Sequence, residues 1–415
     1  MIALPVWELE GLGRVEATAE EFTGVQIDSR RVRPGDLFVA VRGGVDHVDA
    51  ARRAGAAAVL VPDDAFAALA AIGRAVRARS DAEVVGITGS TGKTSTKDIL
   101  AALLRPHRKV VAAEASFNAE LGVPLTLARL EEDTEILVAE LAMRGFGQIR
   151  ELCEIARPTL GAITSIGPVH LEFVESVAGV AKAKAELLAA LPDGAVAVVP
   201  AGVPELEPHL RDDLTLVRVG EDVRLRSFAN GRLELDVFGE RAELPLPLRG
   251  AHQAENAVVA VAVYHALGLP LDRVAEGAEG IELSRLRGEE LPLPGGGMLI
   301  NDCWNANPAS MAAAVRDLAA RANGGRRLAV LGGMAELGAD SRRYHEEVGR
   351  LLDEQGIDHV IAVGELARAY GSDDWVPGPE EAAERVAGLI RPGDVVLVKG
   401  SRSVGLERVA ENLLG

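Results

Sequence analysis

The sequence is poor in cysteine. Its 415 residues include only Cys153 and Cys303, and neither belongs to a Cys-x-x-Cys pair or has paired histidines nearby. A disulfide framework needs several pairable cysteines, and a structural zinc site needs clustered Cys and His ligands. Both kinds of scaffold are therefore excluded.

Basic residues are also in deficit. Lysine and arginine total 44 against 62 aspartates and glutamates, which gives a net charge of −18. A chain this acidic is a poor candidate for binding nucleic acid or an anionic membrane. It also repels a polyanionic small molecule at long range. We therefore expect small-molecule substrates, and any anionic one must be held by a helix N-terminus, a single Lys or Arg, or Mg²⁺.

Long apolar runs are missing as well. No stretch of about eighteen consecutive apolar residues occurs, which is the minimum for a membrane-spanning helix. Residues 1–30 show neither the basic start nor the apolar core of a secretory signal. We therefore expect a cytoplasmic protein, and the length allows two or three domains, each with its own core.

Short β-branched runs alternate with Ala/Leu-rich amphipathic stretches along the whole chain. Seven of these runs are EVVGIT, EILVAEL, LGAITSI, AVAVVP, RLAVLGGM, HVIAVG and DVVLVKG. Such alternation predicts an α/β protein built on parallel sheets with crossover helices. Around Asn230 and Gly231 the pattern changes to apolar–polar alternation, which predicts a small antiparallel hairpin insertion.

Two composition breaks divide the chain into three predicted domains. An Ala/Arg-rich helical pattern runs into a polar break near residue 82, and a Pro- and Gly-rich stretch suited to a hinge begins near residue 282. We expect an α/β domain over 1–82 and a central parallel-sheet domain over 83–281. A Rossmann-like doubly wound domain is expected over 282–415.

The central domain begins with the sequence GITGSTGKTSTKDIL. It resembles a nucleotide-phosphate loop, although Ile87 stands where the standard pattern has its first glycine. We predict a buried strand over 83–88 and a helix over 93–104. The predicted ATP-binding residues of this loop are Gly89, Ser90, Thr91, Gly92, Lys93, Thr94 and Ser95. Backbone amides at the helix N-terminus would face the phosphates, Lys93 would reach the terminal ones, and the Thr94 hydroxyl would ligate Mg²⁺.

Two further side chains follow neighbouring predicted strands. Glu140 closes the run EILVAEL, and His170 lies just beyond the run LGAITSI. Open α/β sheets bind ligands at the carboxyl edge of their strands, so both residues should lie near Thr94. A carboxylate and an imidazole there are candidate metal ligands.

Together these motifs resemble those of the Mur ligase family, the ATP-dependent amide-forming enzymes of peptidoglycan precursor synthesis. The resemblance covers all three predicted domains. The segments that carry it are DSRRVRPGDLFVAVRGG, TGSTGKTS, FNAELGVPLTL, AEL at 139–141, VHLEF, GVAKAKAELL, GAHQAENA, NDCWNANPASMAAAV and LGGMAELG.

The resemblance implies UDP-N-acetylmuramoyl-tripeptide and D-alanyl-D-alanine as substrates. ATP would phosphorylate the terminal carboxylate of the tripeptide, because a carboxylate is a poor electrophile and an acyl phosphate carries a good leaving group. The dipeptide amine would then attack. Two Mg²⁺ ions are implied, one held through Thr94 and Glu140 and the second through His170. Lys93, His170 and Lys184 are the implied catalytic residues.

The family also carries a carbamylated lysine that holds the second metal. Lys182 and Lys184 are both available in AKAKAELL. The modified lysine of the family is followed three positions later by an aliphatic residue, and Leu187 gives Lys184 that partner. We favour Lys184, with Lys182 as the alternative and two plain surface lysines as the other possibility.

The remaining site residues are likewise implied by the resemblance. Those assigned to ATP are Asn256, Arg285, Asp302 and Asn305, and those assigned to the UDP-sugar are Asp28, Ser29 and Arg30. Three positions depart from the family pattern: Gln253 replaces an Asn after His252, Ser284 replaces a Gly, and Trp304 replaces a Tyr. Asp28–Arg30 also fit an ordinary polar turn.

Three other functions remain as alternatives. The neighbouring ligase that adds the third peptide residue shares the N-terminal domain type, but its Asn-Pro-Arg selector is missing here. A folate polyglutamate ligase shares the central chemistry without the segment DSRRVRPGDLFVA. A nucleotide-gated binding protein would release no phosphate in response to both substrates. We expect a monomer whose C-terminal domain rotates towards the phosphate loop when ATP binds.

Overall fold

The computed structural model describes residues 1–114, 117–321 and 324–415. Within these ranges the chain forms three α/β units, each built around its own sheet. The predicted α/β class and three-part architecture are therefore confirmed. The predicted boundaries at residues 82 and 281 stay predictions. No helix in the described ranges is both long enough and apolar enough to cross a bilayer.

The first unit contains a four-stranded mixed sheet and a separate two-stranded ribbon. Its elements are β1 Leu4–Pro5, β2 Gly13–Ala17, β3 Glu21–Phe22, β4 Gly24–Gln26, β5 Asp36–Val39, β6 Ala58–Pro62, α1 Val48–Arg53 and α2 Ala65–Arg77. The sheet order is β2-β6-β5-β4, and β1 pairs with β3. Asp64 caps α2 by accepting from the amides of Phe66 (2.8 Å) and Ala67 (3.0 Å), which satisfies two donors that a helix N-terminus otherwise leaves free.

The second unit is a nine-stranded sheet in the order β15-β14-β13-β12-β11-β10-β7-β9-β8. Its strands are β7 Glu83–Thr88, β8 Val110–Ala112, β9 Ile136–Glu140, β10 Leu160–Ile163, β11 Val196–Pro200, β12 Thr215–Val219, β13 Val223–Ala229, β14 Arg232–Val237 and β15 Glu240–Pro245. Its helices are α3 Lys93–Leu104, α4 Gly122–Leu127, α5 Gln148–Ala156, α6 Leu171–Val174, α7 Val177–Lys184, α8 Glu186–Ala190 and α9 Ala251–Ala266. The predicted bounds of β7 and α3 are confirmed.

The predicted hairpin insertion is present and is larger than the sequence indicated. Asn230 and Gly231 both have positive φ, as a tight two-residue hairpin turn requires, and they join β13 to β14. A third antiparallel strand, β15, pairs with β14, and β13 meets β12 at a single parallel pair, Val219 with Val223. The hairpin is therefore the edge of the central sheet and not a separate element.

The third unit is a six-stranded, doubly wound sheet in the order β16-β17-β21-β18-β19-β20. Its strands are β16 Glu289–Pro292, β17 Met298–Asp302, β18 Arg327–Gly332, β19 His359–Val363, β20 Asp374–Val376 and β21 Val395–Lys399. Its helices are α10 Pro308–Ala320, α11 Ser341–Glu354, α12 Pro379–Leu389 and α13 Glu407–Leu414. Only the edge strand β16 is antiparallel, so this sheet has the predicted Rossmann-like form.

The first and second units share one apolar core. α2 packs on α4 and α5, and buried side chains from both units form a continuous cluster that includes Leu69, Val84 and Leu127. Apolar burial is the main favourable term in folding, so this cluster fixes the first unit on the central sheet. The third unit has its own cores on the two faces of its sheet.

Candidate active site

The loop between β7 and α3 is braced from the neighbouring strand β10. The amide of Ser90 donates to Ser165 O (2.9 Å), and the amide of Thr91 donates to Ser165 Oγ (2.9 Å). These two amides are therefore unavailable to a phosphate. The donors left for an anion are those of the first turn of α3, which lack intrahelical acceptors. The amides available to an anion are therefore those of the helix N-terminus, which is where the sequence predicts phosphate contacts.

Both glycines of this loop are required by their surroundings. Gly89 has φ +152° and Gly92 has φ +80°, conformations that favour glycine. A Cβ at Gly89 would lie 1.9 Å from Thr164 Oγ1, and one at Gly92 would lie 2.1 Å from Asn256 Oδ1. The close approach at Gly92 fixes Asn256, a predicted nucleotide residue, directly beside the phosphate loop.

Lys93 and Thr94 lie at the start of α3 and face the third unit. Lys93 Nζ donates to Gly89 O (2.6 Å), so its ammonium folds back over the loop. Burial lowers the pKa of Lys93, while Glu140 opposes the shift. Thr94 Oγ1 donates to Glu140 Oε1 (3.1 Å) and accepts from Arg287 Nη2 (3.3 Å).

Glu140 ends β9 and is fully buried. Its Oε1 accepts from Thr94 and from Asn118 Nδ2 (2.7 Å), whereas its Oε2 has no hydrogen-bond partner within the described residues. Leaving a buried carboxylate oxygen unpaired costs free energy, so this atom points to a missing partner. No cluster of three or more His, Cys, Asp or Glu side chains suited to a metal occurs in the described ranges.

His170 lies beyond β10, as predicted, and has the left-handed conformation φ 54°. Its Nδ1 donates to Oε2 of Glu336 (2.5 Å), a residue of the third unit, and Oε1 of Glu336 forms an ion pair with Arg144 Nε (3.2 Å). Burial lowers the pKa of the imidazole, and the Glu336 carboxylate opposes that shift.

The two candidate lysines of α7 have opposite surroundings. Lys184 is 1% exposed and makes no hydrogen bond or ion pair with any described residue, and burial lowers its pKa well below the usual value, with Lys93 adding to the shift. Lys182 is exposed, and its ammonium lies 5.4 Å from the centre of the Phe146 ring. Only Lys184 has the environment of an amine held neutral.

The third unit supplies the opposite wall. Lys399 Nζ donates to Asp302 Oδ2 (2.6 Å) and to Asn305 O (3.0 Å), so the two predicted residues are held together at the carboxyl ends of β17 and β21. The side-chain oxygen of Asn307 caps α10 by accepting from the amide of Ser310. The side-chain nitrogen of Asn307 donates to Ser90 O (3.4 Å) across the cavity. The centre of the Trp304 ring lies 5.8 Å from the guanidinium carbon of Arg287.

These walls enclose a cavity of about 750 Å³ between the second and third units. Its lining includes most of the predicted residues: Ser90, Thr91, Gly92, Lys93, Thr94, Ser95, Glu140, His170, Asn256, Asp302 and Asn305. A second cavity of about 220 Å³ is lined by His252, Gln253 and Asp302, which line the first cavity too. Gln253 Oε1 accepts from Asn256 Nδ2 (3.0 Å), so the residue that departs from the family pattern orients Asn256.

Six predicted positions do not line this cavity: Gly89, Lys184, Arg285, Asp28, Ser29 and Arg30. Arg285 is exposed and does not line the cavity, whereas Arg287, two residues later, contacts Thr94. Asp28, Ser29 and Arg30 lie in the first unit, where the amide and the guanidinium of Arg30 donate to the Asp28 carboxylate and lower its pKa to about 2. This is the capped polar turn that the alternative interpretation describes.

Three charged residues of the site were not predicted from the sequence: Arg287, Glu336 and Lys399. Each lies inside a motif that was noted for another reason, namely the hinge, LGGMAELG and the strand DVVLVKG. In the sequence, each of these three is a charged residue at the end of a strand or in a turn. Their roles depend on contacts between units, which local sequence patterns do not reveal.

Three family models cover most of the chain. They are described as "Mur ligase family, catalytic domain" over residues 21–108, "Mur ligase middle domain" over 87–264 and "Mur ligase, glutamate ligase domain" over 287–402.

Curated relatives and solved structures align over nearly the full length. UDP-N-acetylmuramoyl-tripeptide–D-alanyl-D-alanine ligase of Mycobacterium tuberculosis is 35% identical, with 96% of this chain and 94% of the relative covered. The Escherichia coli ligase of the same name is 32% identical, with 100% of this chain and 99% of the relative covered. MurF from Acinetobacter baumannii superposes with TM-score 0.86 at 28% identity, covering 99% of both chains. MurF ligase from Thermotoga maritima in complex with ADP superposes with TM-score 0.79 at 29% identity, covering 94% of this chain and 96% of the other.

Proposed function

This chain belongs to the Mur ligase family, and we propose that it joins D-alanyl-D-alanine to UDP-N-acetylmuramoyl-tripeptide in an ATP-dependent step of peptidoglycan precursor synthesis. Relatives named UDP-N-acetylmuramoyl-tripeptide–D-alanyl-D-alanine ligase match this chain along nearly their whole length. The observation that carries the proposal is the cavity in which the Lys93–Thr94 helix start faces Asp302 and Asn305. A nucleotide and two peptide substrates can meet there.

The chemistry requires an activated carboxylate. The tripeptide carboxylate attacks the γ-phosphorus of ATP, the bond to the β-phosphate oxygen breaks, and an acyl phosphate and ADP form. The dipeptide amine then attacks the acyl carbon and loses a proton, and phosphate leaves as the amide forms. Lys93 and the first-turn amides of α3 neutralise charge on the transferring group, and the enclosing walls exclude water.

We further propose that Mg²⁺ assists the transfer. The unpaired Glu140 Oε2 and the neighbouring Thr94 hydroxyl are hard oxygen donors of the kind Mg²⁺ prefers. One or two protein oxygens suffice when phosphate oxygens complete the coordination, so a site without three clustered protein ligands suits this ion. When bound, Mg²⁺ would neutralise charge on the phosphates. A second ion near His170 remains part of this proposal.

Lys184 is proposed to be carbamylated. Only a neutral amine captures CO₂, and burial next to Lys93 favours the neutral form of Lys184. The resulting carbamate would turn a repulsive cation into a carboxylate-like group suited to a second metal ion.

The base of ATP and the UDP group would be bound by different units of the chain. We propose that Asn256 and its partner Gln253 contact the base of ATP, and that Asp28, Ser29 and Arg30 contact the uridine diphosphate. Arg30 is 87% exposed in its side chain, so its guanidinium is accessible to an anionic diphosphate. We also propose that the enzyme is a cytoplasmic monomer, the latter testable by light scattering.

An acceptor panel tests the proposed function. Purified enzyme is incubated with ATP, Mg²⁺ and the tripeptide precursor, together with D-alanyl-D-alanine, single D- and L-amino acids, diamino acids or glutamate. We expect phosphate release and an amide product, identified by mass spectrometry, only with D-alanyl-D-alanine. In a parallel reaction with the dipeptide precursor, addition of a diamino acid would instead identify the neighbouring ligase. Phosphate release that is independent of both peptides would contradict a ligase function.

A further inference from the structure

Glu336 is the strongest feature that the proposed chemistry leaves unused. It belongs to the third unit, yet its carboxylate lies against the second. Its Oε2 accepts from His170 Nδ1 (2.5 Å), and its Oε1 pairs with Arg144 Nε (3.2 Å). One side chain therefore contacts two separate loops of the other unit. Because Nδ1 of the imidazole is bonded to Glu336, only Nε2 of His170 can contact a ligand in the cavity that this residue lines.

The turn that carries Glu336 is held firmly in its own unit. The amide of Met334 donates to His345 Nε2 (2.8 Å), and the amide of Ala335 donates to Ser401 Oγ (2.9 Å). His345 Nδ1 in turn donates to Ser341 O (2.6 Å). The two residues before Glu336 are thus fixed by α11 and by the end of β21, so the position of the carboxylate is fixed relative to the third sheet.

Both members of the pair have backbone conformations that are unfavourable for residues other than glycine. Glu336 has φ 62° and His170 has φ 54°. Such conformations persist where the surroundings impose them, and they concentrate at functional sites. A backbone bond between the amide of Glu172 and Glu336 O (3.3 Å) joins the same two segments.

We propose that Glu336 is a positioning residue for the ligase reaction, which reaches across the cavity and orients the His170 imidazole only when the third unit is docked. This inference rests on the proposed function. A carboxylate that accepts from one ring nitrogen fixes the tautomer and the rotation of the ring, and so presents the other nitrogen in a defined direction. Docking of the third unit and completion of the His170 site then become one event.

The test compares Glu336→Ala and Glu336→Gln with Glu346→Gln. Glu346 is a partly exposed acid of α11 that pairs with Arg342 within its own helix, so it controls for loss of a carboxylate in the same unit. Two quantities are measured: kcat with each substrate's KM, and the imidazole ¹⁵N spectrum of histidine-labelled enzyme. The spectrum is recorded with the tripeptide precursor and a non-hydrolysable ATP analogue, and the His170 signals are assigned by their loss in His170→Asn.

We expect kcat of Glu336→Ala to fall roughly 10- to 100-fold, with KM for ATP changed less than about threefold. Wild type should show His170 in the single tautomer with the proton on Nδ1, and Glu336→Ala should lose that preference. In Glu336→Gln, whose amide oxygen can still accept a hydrogen bond, kcat and the tautomer preference should lie between those of wild type and Glu336→Ala. Glu346→Gln should match wild type in both quantities.

Either readout left unchanged in Glu336→Ala would overturn the proposal. If that variant does not fold, as judged by circular dichroism and thermal melting, the nearly isosteric Glu336→Gln decides on the same two measurements. The spectrum needs no turnover. If wild type formed no amide, the proposed function would fail while the Glu336–His170 contact could still be decided.

Discussion

Lys93 and Lys184 show how position decides the role of a side chain. Lys93 lines the cavity and is partly buried, Lys184 is buried close by, and burial lowers both pKa values. Lys93 Nζ has the Gly89 carbonyl and the opposing charge of Glu140, whereas Lys184 has no hydrogen bond or ion pair in the described ranges. The first is suited to hold phosphate as a cation and the second to react as a neutral amine.

Replacing Lys93 with Ala should lower kcat/KM on the order of 100- to 1000-fold, because one charged donor to the transferring phosphoryl group is lost. The matched control is Lys109→Ala, since Lys109 is a surface lysine paired with Glu131 and Asp133. Phosphate release in the presence of both peptides measures the effect. Near-normal turnover of the Lys93 variant would contradict the phosphate assignment.

Lys184→Arg should lower kcat roughly 100-fold or more, because a guanidinium cannot form the carbamate and keeps its positive charge. Lys182→Arg, two residues away on the exposed side of α7, should retain activity. ¹³C-labelled bicarbonate should give a carbamate carbon signal in wild type and in the Lys182 variant, and none in the Lys184 variant. The reverse pattern would assign the modification to Lys182.

At this scale the sequence predicted the residues of local motifs and missed those whose role arises between units. The placement of Lys93 and Thr94 was predictable because a strand, a glycine turn and a helix position them within one motif, and that of Glu140 because it ends a neighbouring buried strand. Arg287 was not, because it lies two residues from the predicted Arg285 in a hinge without regular structure. What distinguishes the two arginines is tertiary placement: Arg287 lines the cavity and contacts Thr94, whereas Arg285 is exposed.

At the scale of elements, periodicity predicted the buried parallel strands well. All seven runs singled out in the sequence contain strands, namely β7, β9, β10, β11, β18, β19 and β21. Strands without a continuous apolar run were harder to recognise. β15 alternates exposed and buried residues, and β16 at the edge of the third sheet is only partly buried, so neither has the composition of a central strand.

The helix α11 makes stability depend on pH through His345. Burial lowers the pKa of this imidazole, and its Nε2 must stay unprotonated to accept from Met334. The unfolded chain therefore binds a proton more readily, so stability is lost as pH falls through the unfolded pKa near 6.5 towards the lower folded value. His170 and His252 have pKa shifts in the same direction and add to the effect.

We expect the urea midpoint to fall between pH 7.5 and 5, and to fall less in His345→Asn than in wild type. Tryptophan fluorescence reports the third unit through Trp304 and Trp375. His47→Asn is the control, because His47 is exposed in the first unit. Equal pH slopes for wild type and the His345 variant would contradict this prediction.

At the scale of the whole molecule, the units meet in a closed arrangement. Asn307 contacts Ser90, Arg287 contacts Thr94, and Glu336 contacts His170, all across the cavity. The hinge is tied to the phosphate helix as well, since the amide of Ser284 donates to Asp98 Oδ2 (2.8 Å). Local patterns cannot predict such an arrangement, because each contact joins segments that are distant in the sequence.

Nucleotide should favour this arrangement, because the phosphates would contact charged groups of both walls. Small-angle scattering should give a smaller radius of gyration with a non-hydrolysable ATP analogue and the tripeptide precursor than without ligands. Adenosine monophosphate, which lacks the phosphate tail, is the control and should cause little compaction. Equal radii with and without the analogue would show that closure is independent of the nucleotide.

The brace that Ser165 provides for the loop has a metabolic consequence. Because Ser165 holds the anion-facing turn through protein contacts, ADP should meet the same donors as ATP and compete with it for the site. Turnover in the cell should therefore follow the ratio of ATP to ADP more closely than the amount of ATP. Falling energy charge alone would then slow wall precursor supply, without a separate regulatory site.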